Sequence, residues 1–124
     1  MCMIGTFDVI VLDCSEPQVL ARFYVELLGG EIVESDSDWA EILPSQAGGR
    51  PLLAFQRVDH YQPPEWPGQR IPQQVHLDVK VEDLDSAEDS VLAIGATATG
   101  AGTNTFRVYL DPAGHPFCLI RPQD

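Results

Sequence analysis

A chain of 124 residues with 44% apolar and 21% charged residues has the size and composition of one globular domain, with apolar side chains enough for a packed core. Its formal net charge of -12, from 19 acidic against 7 basic residues, excludes a nucleic-acid binder, whose affinity rests on Lys and Arg neutralising phosphates. No apolar run nears the roughly 20 residues of a membrane span and no basic leader opens the chain, so the expectation is a cytoplasmic protein without membrane contact.

In chain order, residues 7–12 (Phe-Asp-Val-Ile-Val-Leu) suit a strand with Phe7, Val9 and Val11 on one face. Ser15 and Gln18 have the spacing of a capping box. Val19, Leu20, Phe23, Tyr24, Leu27 and Leu28 then recur at helical spacing until Gly29-Gly30, which predicts an amphipathic helix over 16–28. Strands follow at 31–35, 38–43 and 52–58, the last two separated by the turn-forming Gly48-Gly49-Arg50-Pro51. The first half reads βαβββ.

Residues 59–74, rich in Pro, Gln and Gly and without periodicity, read as a linker. The second half repeats the plan. Residues 75–81 alternate, with Val75, Leu77, Val79 and Val81 on one face and His76, Asp78 and Lys80 on the other. Asp85 with Glu88 resembles a second capping box, and Leu84, Ala87, Val91 and Ile94 make a helix closed by Gly95. Strands at 96–99, 106–110 and 116–120 complete the half, the last two joined through Asp111-Pro112-Ala113-Gly114, a type I turn sequence. The halves repeat in the order and spacing of elements rather than in residue identity.

At this point the chain resembles the glyoxalase/bleomycin resistance/dioxygenase (vicinal oxygen chelate) superfamily, in its glyoxalase-like branch. The residues that carry the resemblance are Ala21-Arg22-Phe23-Tyr24 with Leu27-Leu28-Gly29, Trp66-Pro67-Gly68-Gln69, Gln74 to Val79, Asp83 to Ala87, Gly95-Ala96-Thr97, and Asp111 to Cys118. The resemblance implies an α+β fold, the glyoxalase/bleomycin resistance/dihydroxybiphenyl dioxygenase fold, in which two βαβββ modules form curved mixed sheets around a cleft. It implies a single domain over 1–124, made of modules 1–58 and 75–124 with the linker 59–74 between them. It also implies a homodimer. The fold alone hosts isomerases, epimerases, dioxygenases, thiol transferases and drug-sequestering proteins, so it supplies no single activity.

Catalytic members draw metal ligands from the first and last strands of each half, and the matching positions are Asp8, Gln56, His76 and Cys118. Strand alternation supports a shared side for these four, since each opposes the apolar set of its strand. One residue of slip would exchange Gln56 for Phe55 or Arg57. Where the family has His, Glu, His, Glu, this chain keeps one His. Zinc tolerates Asp8, His76 and Cys118 as three ligands, so a divalent ion (zinc, nickel, manganese or iron) is admitted, while no cofactor is required. Cys2, Cys14 and Cys118 lack CxxC spacing and fit reduced thiols, and the favoured reading of Cys118 on its own is a small buried apolar residue.

Without metal, His76 is a candidate general base with Asp8 orienting it, or a histidine merely held by a hydrogen bond to Asp78 or Asp8. Trp39, Tyr61 and Trp66, with His60, offer aromatic surface to a flat ligand, the rival reading being that Trp66 anchors the linker. His115 reads as a structural residue at the turn, its ring capping a nearby carbonyl. The candidate ligand-binding set is Trp39, Gln56, Tyr61, Trp66, Asp78 and Cys118. The functional expectation is a protein that binds a small hydrophobic or aromatic molecule in the inter-module cleft without a full metal site. The alternative is a metal-dependent lyase, isomerase or dioxygenase using His76 with Asp8 and Cys118.

Overall fold

A computed structural model describes Ile4 and residues 7–122. The chain divides into two compact units, Met1–Tyr61 and Gln62–Asp124, and each carries the expected βαβββ order.

In the first unit, β1 (Ile10–Cys14) leads into α1 (Pro17–Leu28), then β2 (Glu31–Ser35), β3 (Trp39–Leu43) and β4 (Leu53–Arg57). The sheet order is β1-β4-β3-β2, with β1 parallel to β4 and the other pairs antiparallel, so the sheet is mixed. Helix α1 lies across β2, β3 and β4. Leu20, Phe23 and Tyr24 are buried there with Leu12, Cys14, Ile42 and Phe55, and the Tyr24 ring stacks on Phe55 at 5.5 Å between centroids. Val19 departs from the expected stripe and is exposed.

Two local expectations for this unit are corrected. The first strand begins later than residue 7, and its buried positions are Leu12 and Cys14, whereas Phe7 and Val11 are exposed. The run from Val9 to Leu12 is apolar at both parities, so alternation alone does not choose a face. Nor does α1 start with a capping box: its N-cap is Glu16, without a side-chain cap, and Pro17 opens the first turn, where its missing N–H costs nothing. The C-terminal end is as expected. Gly29 N–H bonds to Val25 O at 2.8 Å, and Gly30 takes φ +97°, at a point where a Cβ would collide with Leu43 O.

In the second unit, β5 (Leu77–Lys80), α2 (Leu84–Ala93), β6 (Thr97–Gly102), β7 (Phe106–Leu110) and β8 (Pro116–Ile120) repeat the plan, in sheet order β5-β8-β7-β6 with β5 parallel to β8. Leu84 and Val91 are buried on the helix, and Tyr109, Phe117 and Leu119 on the sheet. The cap of α2 is Asp83, whose carboxylate accepts Ser86 N–H at 2.9 Å, rather than Asp85. Asp85 and Glu88 instead reach the sheet: Arg107 donates to Asp85 at 2.7 Å, and Tyr109 O–H donates to Glu88 at 2.7 Å. Strand β6 runs to Gly102 rather than ending at 99, with an irregular register between Ala98 and Gly102.

The turn between β7 and β8 is as expected, Gly114 N–H bonding to Asp111 O at 2.8 Å. His115 pairs through Nδ1 with the Asp111 carboxylate at 2.8 Å, so its ring meets a carboxylate rather than the anticipated carbonyl. Residues 59–76 contain no helix or strand. No helix among the described residues is long and apolar enough to cross a membrane.

Candidate functional site

Strand β8 sets the chemistry of the second sheet. Phe117 and Leu119 are fully buried on the α2 side, so Cys118, between them, turns to the opposite face. Asp78 on β5 is its register partner and Val108 on β7 lies on its other side. His76, just before β5, brings Nε2 to 3.4 Å from Asp78 Oδ1. One donor atom from each of His76, Asp78 and Cys118 lies within 4.8 Å of the others.

These three residues share a hollow of about 270 Å³ with Thr105, Phe106 and Ile120. Its lining is chemically mixed, imidazole, carboxylate and thiol beside an aromatic ring and an aliphatic chain. Phe106 and Ile120 are register partners and lie on the Cys118 face. Sequence reasoning named neither, although the alternation that assigned Cys118 to this face also assigns Ile120, two residues on.

Burial pushes the Cys118 thiol up, the negative charge of Asp78 adds to this, and a hydrogen bond with Asp78 adds further, to about 11. At neutral pH the group is a thiol, and thiolate is the nucleophilic and metal-binding form. His76 and Asp78 are roughly half exposed, with side-chain exposures of 43% and 52%, so the hollow is open to solutes.

A larger hollow of about 390 Å³ borders α2, β6 and β7. Its charged residues are already engaged with one another through the Arg107–Asp85 and Tyr109–Glu88 bonds, which brace the helix on the sheet.

In the first unit, Trp39, Gln56 and Asp13 are register partners on β3, β4 and β1. Gln56 Nε2 donates to Asp13 at 3.3 Å, and Trp39 Nε1 donates to Glu41 at 2.9 Å. The carboxylate beside Gln56 on this face is therefore Asp13. Asp8 stands ahead of β1 and is exposed, and its carbonyl accepts Arg50 Nη1 at 2.6 Å. The reason is the shifted strand: positions 12 and 14, which share the parity of Asp8, point to the core. Tyr61 and Trp66 are half-buried in the stretch without helix or strand, and His60 beside them is exposed.

The fold and this chemistry define a class. The glyoxalase-like domain model matches residues 9–120, and the chain belongs to that family. No curated protein matches it. Among solved structures, a glyoxalase/bleomycin resistance protein/dioxygenase family enzyme from Burkholderia phytofirmans PsJN is 15% identical, with a TM-score of 0.68 over 92% of this chain and 96% of that one. A mutant of the fosfomycin resistance protein FosX from Listeria monocytogenes, complexed with Mn(II) and 1S,2S-dihydroxypropylphosphonic acid, is 16% identical (TM-score 0.67, covering 98% and 95%). TnmS3, an antibiotic binding protein from Streptomyces sp. CB03234, is 19% identical (TM-score 0.59, covering 99% and 100%). At these identities the likeness is one of fold.

Proposed function

We propose that the chain binds a small, largely apolar or aromatic molecule on the face of the second sheet turned away from α2, without the four-ligand metal set that the family pattern implies. The observation that carries this reading is the mixed lining of the hollow, which Phe106 and Ile120 share with His76, Asp78 and Cys118. At about 270 Å³ it falls just under the roughly 300–1,000 Å³ of sites for drug-sized ligands, which suits a molecule of one or two rings. The apolar lining residues supply burial and the polar groups fix orientation. A structural neighbour that is an antibiotic binding protein is consistent with simple binding on this fold.

A metal-dependent lyase, isomerase or dioxygenase is the second reading. It is favoured by the grouping of His76 with Asp78 and Cys118, and by a neighbour complexed with Mn(II). The same proposal takes the working protein to be a cytoplasmic homodimer, as the family resemblance implies.

The test is titration with 2-naphthol, followed by amide chemical shifts. Saturable shifts centred on Phe106, Cys118 and Ile120, weakened severalfold in Phe106→Ser, are expected. Shifts that do not saturate, or that persist unchanged in Phe106→Ser, overturn the reading.

A further inference from the structure

The partners of Asp78 fall short of its charge. An ionised carboxylate offers about four lone-pair positions. Here it accepts from the Cys118 thiol, a weak donor, and faces His76 Nε2 at 3.4 Å, well beyond the roughly 2.8 Å of a charge-assisted hydrogen bond. Among the described residues no Lys or Arg pairs with it, and none lines the hollow. The cations of this unit are placed elsewhere. Arg70 is held by Glu65 at 2.6 and 2.9 Å, and Arg107 is turned to the α2 side by Asp85. Lys80 shares the face of Asp78, beside Ile120, but it is exposed and does not line the hollow. Phe106 lies on β7, two strands from β5 and so roughly 10 Å across the sheet from Asp78.

We propose that Asp78 selects the head group of the ligand, so that the hollow takes a small aromatic molecule carrying a protonated amine, an arylalkylammonium. The inference rests on the proposed hollow as the binding site and adds the charge of its occupant. The ring packs on Phe106 and Ile120, and the ammonium donates to the remaining acceptor positions of Asp78. Both ends of this arrangement line the hollow, so a bicyclic ring with a one-carbon arm is long enough to touch both. With His76 neutral, Asp78 is the one charge in the lining: an anionic head is repelled, and a neutral one gains only a hydrogen bond. Asp78 is 52% exposed, so water screens the pair and the gain in affinity is held to about fivefold.

The experiment titrates the full chain with 2-naphthylmethylamine, 2-naphthylmethanol and 2-naphthoate, three probes of nearly one shape and different charge, followed by amide chemical shifts. The pH is 8, where an ordinary imidazole is neutral. The amine should bind about fivefold more tightly than the alcohol, and the carboxylate more weakly than either. Asp78→Asn should bring the amine to the affinity of the alcohol while the alcohol itself is unchanged. Asp89→Asn makes the same change in net charge on the exposed surface of α2, across the sheet, and should keep the preference. Phe106→Ser should weaken all three alike. An amine no tighter than the alcohol overturns the proposal from the wild-type protein alone, whether or not the variants fold. A preference that survives Asp78→Asn or disappears in Asp89→Asn overturns it too, as does tightest binding by naphthoate, the result if Lys80 set the choice. Saturable binding of 2-naphthol and 2-naphthylmethanol with no preference for the amine sinks the charge selection alone, whereas no saturable binding by any of these probes sinks the proposed function with it.

Discussion

Replacing Asp78 by Asn tests how the pocket controls its thiol. In the metal-free protein Cys118 is held at about 11 against an ordinary 9.0, first by burial and then by Asp78 as a charge and as a hydrogen-bond partner. At pH 7 that raises the protonated share so that thiolate is about one part in 10,000 instead of about one in 100. A thiolate of higher pKa is the better nucleophile, with a Brønsted slope of about 0.4–0.5, which returns roughly tenfold of the hundredfold loss. The net expectation is that Cys118 reacts with an aromatic disulfide reagent about tenfold more slowly than an unperturbed thiol of equal access. Asp78→Asn removes the negative charge and leaves burial and an amide oxygen that can still accept from the thiol, so it should accelerate the reaction without restoring the full tenfold. Rates are read between pH 7 and 9 by peptide mass spectrometry at Cys118. A wild-type rate that levels off by pH 9, or an Asn variant no faster than wild type, refutes the assignment.

Further outcomes follow from the packing. Phe55→Ala removes a fully buried ring stacked on Tyr24 and should cost about 3–5 kcal/mol in urea unfolding, with the m-value unchanged. Tyr109→Phe leaves Glu88 without the phenol and should cost about 1–3 kcal/mol by the same measurement. Tyr109 is raised to about 12, chiefly by burial and the bond to Glu88, so in the window from 10 to 12 the folded chain binds more protons than the unfolded one. Stability is therefore complete on the neutral side and falls as pH rises through that window, with Cys118 contributing the same sign from 9 to 11; Tyr109→Phe should flatten the upper part. Asp83→Ala should lower the melting temperature by a few degrees, whereas Ser15→Ala should leave it unchanged because α1 has no side-chain cap. The Asp83 carboxyl is held low mainly by the Ser86 N–H, so its contribution is present at neutral pH and is lost as pH falls through its depressed value.

Alternation made β8 legible because Phe117 and Leu119 are unmistakably apolar and flank one small polarisable residue. The same rule failed on β1, where Val9 to Leu12 offers no polar residue to mark a face. The informative mark was Asp13, beyond the end of the expected strand, with Cys14 behaving as a core residue. Helix positions were readable from the apolar stripe, but the caps were not: Pro17 and Asp83 carried the start signals, and Ser15 and Asp85 only imitated them. The Asp85–Arg107 and Glu88–Tyr109 links join residues 22 and 21 positions apart, a range at which residue spacing says nothing. His76, Asp78 and Cys118 were named from sequence, yet their proximity depends on the parallel pairing of β5 with β8, which periodicity does not reveal. Thr105 and Phe106 were missed because hollows are made by register, not by composition.

The strict division of β8 between its two faces has a consequence for how such a chain changes over time. Side chains at 117 and 119 anchor the helix, and the one at 118 does not take part in that packing. A single codon change at 118 can therefore exchange sulfur for oxygen or nitrogen while the aromatic pair Tyr109–Phe117 stays in place. Chemistry and folding are inherited on alternate residues of the same five-residue strand, so one can drift while the other is held.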